Sequence, residues 1–234
     1  MIEYNRNSWW KTMFSYRGTI LPQVVGRVSE MTLWSFLVVY VYYEEISLGW
    51  INLNDLTGHD TTIHTFLGSV LGFLIVFRMN ASNNRYWEGR SHWGMLINNT
   101  RSLVRYGVAH APRGKELADL VAGYVLCLKQ SQRNNRDISE TAIYLPKEVL
   151  HDAEQFGNPP TAVAAAISDW ITARQREGYL NEMDVRQMED LLAALVNAQG
   201  GCEKIQKTPL PFVYASMIKQ LIFVYLASLP IVIC

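Results

Sequence analysis

Cysteine is scarce in this 234-residue chain, and the three present, Cys127, Cys202 and Cys234, show no CxxC spacing. That excludes a disulfide framework and a thiolate zinc site, and leaves three reduced small residues. Surplus charge is lacking as well. Twenty-one basic and twenty-one acidic residues cancel, so the basic footprint of a nucleic-acid binder is absent. The chain has no HExxH, no Gly-x-Ser-x-Gly, no phosphate loop and no paired carboxylates inside its apolar segments, which argues against an enzyme, including an intramembrane one. The opening residues are polar and hold no apolar h-region, so no cleavable signal peptide is expected. His92 stands beside Trp93 with no second ligand at metal spacing, and neither a metal nor a cofactor is expected.

What is abundant is apolar and aromatic. Hydrophobic residues make up 49% of the chain, with twelve Tyr, eight Phe and seven Trp, a supply suited to membrane-interface belts. The apolar segments lie near the two ends and a charged, helical middle separates them, a layout of mixed membrane and cytosolic character. Met31–Tyr43, extended back through Val24, forms a first span closed by Glu44 and Glu45. Ile63–Phe77 carries no charge, and extension from Thr61 to Ala81 brings it to the roughly twenty residues that a bilayer requires. Leu210–Cys234, charged only at Lys219, forms a third.

The connection between the first two spans, Trp50–Asp60, holds Asp55 and Asp60 and no Lys or Arg. Basic residues are plentiful before the first span and after the second. The positive-inside rule therefore puts the N-terminus and the middle of the chain in the cytoplasm, here of a multi-pass protein of the cell inner membrane. Met1–Arg27, with Trp9, Trp10, Phe14 and Tyr16 among Arg6, Lys11 and Arg17, suggests an interfacial amphipathic helix. In the middle, helices are expected over Lys115–Gln132, Tyr144–Phe156, Ala162–Glu177 and Asn181–Gln199, the last ended by Gly200-Gly201.

The second span holds the informative spacing. Gly68 and Gly72 form a GxxxG pair that permits close helix packing in lipid. Ser69, Phe73 and Phe77, at i, i+4 and i+8, share one face, and Asn80 and Asn84 prolong it. A face that turns from Phe to Asn suits a narrow pore opening into a wetter vestibule. The same stripe also suits plain helix packing.

Phe77–Gly94, FRMNASNNRYWEGRSHWG, resembles the signature after the second membrane helix of bestrophins, especially the bacterial homologues. Gly200–Phe212, GGCEKIQKTPLPF, resembles a second block of that family, and Arg17-Gly18-Thr19-Ile20-Leu21 fits as well. The resemblance implies an all-α fold, with membrane helices continuing into a cytosolic helical bundle, and a pentameric channel whose second helices surround the pore. The implied segments are an interfacial stretch 1–27, spans one and two over 28–85, a cytosolic domain 86–208 and a third span 209–234. It also implies a pore neck at Ser69, Phe73 and Phe77, a vestibule at Asn80 and Asn84, and a cytosolic aperture at Val163, for which ordinary packing is the alternative. Members usually carry an apolar residue where Ser69 stands. Relatives continue to a fourth membrane helix and an acidic stretch, so a partial chain is expected and calcium regulation cannot be argued.

The expected function is a homo-oligomer in membrane lipid that conducts monovalent ions. Cations are favoured here because Asp55 and Asp60 would concentrate them. The alternatives are an anion (chloride) channel of the same architecture and a non-conducting, membrane-anchored helical scaffold.

Overall fold

The computed structural model describes Trp10, residues 20–48 and residues 61–233. The interfacial stretch expected over Met1–Arg27 falls mostly outside the described residues, as do Asp55, Asp60 and Cys234. Among the described residues seven α-helices and one 3-10 helix occur and no strand. The helices are α1 (Leu21–Leu48), α2 (Thr61–His110), α3 (Gly114–Gln132), α4 (Lys147–Gln155), α5 (Pro159–Arg176), α6 (Glu182–Lys207) and α7 (Phe212–Ile233); the 3-10 turn is Ser139–Ile143. Three of them, α1, α2 and α7, are long and apolar enough to cross a membrane.

The chain divides into two compact units, one of residues 1–78 with 211–234 and one of residues 79–210. In the first, α1 and α7 are in contact, and the Trp34 indole N–H donates to the Ala227 carbonyl at 3.0 Å. The His64 ring stacks on Tyr225 with centroids 4.3 Å apart. A Cβ on Gly68 would stand 3.0 Å from the Tyr225 hydroxyl, whereas one on Gly72 would meet nothing within 4 Å. The GxxxG pair is therefore divided: Gly68 admits a ring of its own chain, and Gly72 faces open space.

The second unit carries the core. Leu103, Leu117, Leu128, Ile167, Ile171 and Leu195 have no exposed surface, and each such side chain contributes roughly 1.5–3 kcal/mol on leaving water. Periodic apolar positions on α3, α5 and α6 create this core, as amphipathic helices must. Helix α5 ends at Arg176 and the chain turns at Gly178, whose φ of +81° suits glycine; the Gly178 and Tyr179 N–H groups donate to the Gln175 and Arg174 carbonyls, which closes the helix end.

At the start of α6, Asn181 accepts from the Met183 and Asp184 N–H groups while the Asp184 carboxylate accepts from the Asn181 N–H, a reciprocal cap. The far end of α6 differs from expectation. Gly200-Gly201 does not terminate the helix, which continues to Lys207. The reason is packing. A Cβ on Gly201 would stand 2.2 Å from the His92 ring, while Gly200 is open. Gly201 is small so that α2 can approach, and the helix stops where Thr208-Pro209 denies it a further N–H.

Candidate functional site

Helix α2 has two unlike faces. In the first unit His64, Gly68, Leu71, Leu74 and Arg78 are buried or half-buried; in the second, Ala81, Arg85, His92, Leu96 and Leu103 are. Positions three and four apart share a helical face, so these residues form the packed stripe. The expected neck and vestibule residues lie opposite. Ser69, Asn80 and Asn84 are exposed, and Phe73 and Phe77 are 68% and 63% exposed. The Ser69 hydroxyl donates to the Thr65 carbonyl at 3.0 Å, a local bond that leaves its lone pairs free. Further along the same helix Trp87, Ser91, Asn98, Arg101 and Arg105 are also exposed. Between Ser69 and Arg105 the carboxylate on α2 is Glu88, and it is bound at 2.7 Å by Lys204. The charge left on the open side of α2 is therefore cationic.

Val163 stands elsewhere. It has no exposed surface and packs in the core of the second unit. That burial is what the packing alternative for Val163 expects. Its apolar side chain at the first turn of an amphipathic helix falls on the inward stripe with Ala164, Ile167 and Ile171.

The two sequence blocks that carried the resemblance meet in space, in a junction that sequence reasoning missed. The Arg85 guanidinium donates to the Thr208 carbonyl at 2.6 Å and the Ile205 carbonyl at 2.7 Å, capping the last turn of α6 with a cation. One turn along, Glu88 binds Lys204; a further turn along, His92 covers Gly201. The signal was available. Positions 85, 88 and 92 rise by three and four residues, and 208, 204 and 201 fall by four and three, the pattern of two antiparallel helices in register.

Behind the junction is a buried polar cluster. The Tyr124 hydroxyl donates to Gln199 Oε1 at 2.9 Å; the Gln199 amide donates to Glu203 at 2.7 Å, and the Asn158 amide donates to the same carboxylate at 3.0 Å. Burial disfavours the Glu203 anion, but hydrogen bonds from Gln199, Asn158 and Lys207 outweigh it and hold its pKa below the ordinary range. Burial pushes the Cys127 thiol up to about 11, against an opposing hydrogen bond with Thr141, so this thiol is inert. Among the described residues no group of three or more His, Cys, Asp or Glu gathers to hold a metal.

Comparison with known proteins gives one consistent picture. The family model described as Bacterial/Fungal Bestrophin protein matches residues 1–234. A voltage-dependent anion channel-forming protein of Ralstonia nicotianae is 29% identical over 229 residues, which cover 95% of this chain and 72% of the relative. A protein of the same name from Synechocystis sp. is 30% identical over 226 residues, covering 93% and 70%. Among solved structures, a variant of a bacterial bestrophin homologue from Klebsiella pneumoniae superposes with a TM-score of 0.80 at 22% identity, over 93% of this chain and 78% of that one.

Proposed function

Because the chain belongs to the bacterial/fungal bestrophin family, we propose that it assembles into a homo-oligomeric membrane channel that conducts anions, with the open face of α2 turned to the axis. The observation that carries this reading is the exposure of Ser69, Phe73, Phe77, Asn80 and Asn84 on one side of a helix whose other side is packed. Lipid would accept the two Phe but not a row of amides, whose unmade hydrogen bonds cost several kcal/mol each in hydrocarbon (roughly 2–7). A wet axis accepts both. Rings of Phe73 and Phe77 would form a constriction that resists a hydrated ion and gates by dewetting. The Ser69 hydroxyls would wet its outer end.

Anions are favoured over the cations expected at first. The exposed arginines on α2 beyond the neck are Arg90, Arg101 and Arg105, and they would draw anions. Aromatic ring edges are electropositive and suit an anion in the neck. The names of the two relatives point the same way. In this reading α1, α7 and the first part of α2 lie in the membrane, the second unit lies in the cytoplasm, and assembly is pentameric. The test is the reversal potential of the purified oligomer in planar bilayers under a NaCl gradient. A value near the chloride equilibrium supports the reading; one near the sodium equilibrium overturns the selectivity, and silence overturns the channel.

A further inference from the structure

Beside the α2–α6 junction lies a pocket of about 510 Å³. Two arginines, Arg85 and Arg90, line it, and no carboxylate does. The Arg85 guanidinium is held by the Ile205 and Thr208 carbonyls at the C-terminal end of α6. Arg90 is exposed and has no ion-pair partner among the described residues. Gln132 also lines the pocket, and its Nε2 is buried with no hydrogen-bond partner. The remaining wall is largely apolar and aromatic, with Tyr86 and Trp93, side chains that favour the membrane–water boundary. In sequence, α7 begins four residues after the Thr208 that Arg85 grips.

We propose that this pocket binds a phosphate group, borne either by a lipid headgroup or by a small soluble phosphate. Guanidinium forks match phosphate oxygens in charge and geometry. Arg90 supplies the free cation, Arg85 a fixed positive field, and the Gln132 amide a donor that otherwise has no acceptor. Basic pockets of this kind are where lipid headgroups are recognised, and α7 follows the pocket closely in sequence. The bound group would sit against Arg85 and so hold the end of α6 on α2. The inference does not depend on which ion the channel conducts.

The test is thermal unfolding of the full oligomer in detergent. Sodium phosphate is compared with sodium chloride at matched ionic strength, and dihexanoyl phosphatidylglycerol is added in a separate arm. Phosphate or the lipid raises Tm by about 2–4 °C at saturation. Arg90→Gln loses the rise, and Arg186→Gln, an exposed arginine on α6, keeps it. A rise with the lipid alone assigns the site to headgroups; a rise with both assigns it to the phosphate group itself. No rise with either, or an equal rise in Arg90→Gln, overturns the proposal. Cys202, which lines the pocket, gives a second measurement on otherwise unaltered protein carrying Cys234→Ser: the same probes slow its alkylation several-fold. An unchanged rate overturns the proposal even where Arg90→Gln fails to assemble.

Discussion

On one side of α2, Arg85, His92, Leu96 and Leu103 are fixed by carbonyls, a glycine and a shared core; on the other, Phe73, Phe77, Asn80 and Asn84 are exposed. The first side is specific in its chemistry: a guanidinium meets two carbonyls, and a ring meets the one residue without a side chain. The second repeats two residue types at helical spacing, as suits a surface whose partners are copies of itself. The difference teaches that the two blocks that carry the resemblance fix one side of the helix and leave the other open.

Substitutions on the packed side should be felt as stability. Gly201→Val drives carbon into the His92 ring and should cost about 3 kcal/mol or prevent assembly, read by thermal unfolding. The paired His92→Ala/Gly201→Ala variant should recover part of the loss relative to Gly201→Ala, and a purely additive result would break the account of the contact. Arg85→Met removes two charged hydrogen bonds and strands two carbonyls, at a cost of about 2–3 kcal/mol. Tyr124→Phe deletes the hydroxyl bound to Gln199 and should cost about 1 kcal/mol, measured by denaturant midpoint.

Acid should act on the same side. The folded-state pKa of Glu203 is lowered, so its contribution is fully present above the unfolded glutamate value of about 4.3 and is lost as pH falls through the lower native value. Glu203→Gln should flatten that acid limb of a stability–pH curve, and an unchanged limb would break the assignment. The open side should respond least in stability and most in current. Phe73→Ala should change protomer stability by at most about 0.5 kcal/mol while raising single-channel conductance, and Ser69→Ile should lower open probability. Unchanged currents in both would remove the neck from this face.

Much of this was legible from residue order. Helical periodicity located α3, α5 and α7 to within a few residues, and the i, i+4, i+8 spacing grouped the open face of α2. Three features were not legible, each for a physical reason. Gly200-Gly201 reads as a helix stop by local preference, yet a tertiary contact with His92 uses the missing side chain instead. Val163 shows its spacing from a motif but not the direction of its side chain, which the inward stripe of α5 decides. The 3-10 turn Ser139–Ile143 is held by Thr141, whose hydroxyl donates to the Ile138 carbonyl at 2.6 Å, a bond with no periodic signature.

The Arg85 cap has a consequence for biogenesis. Its carbonyl partner at Ile205 lies 120 residues downstream. At a synthesis rate of 5–20 residues per second, Arg85 would emerge about 6–24 s before that partner is made. The nascent chain therefore passes through a stage in which Arg85 has been made and its carbonyl partners have not, and the junction closes only once Thr208 has followed Ile205.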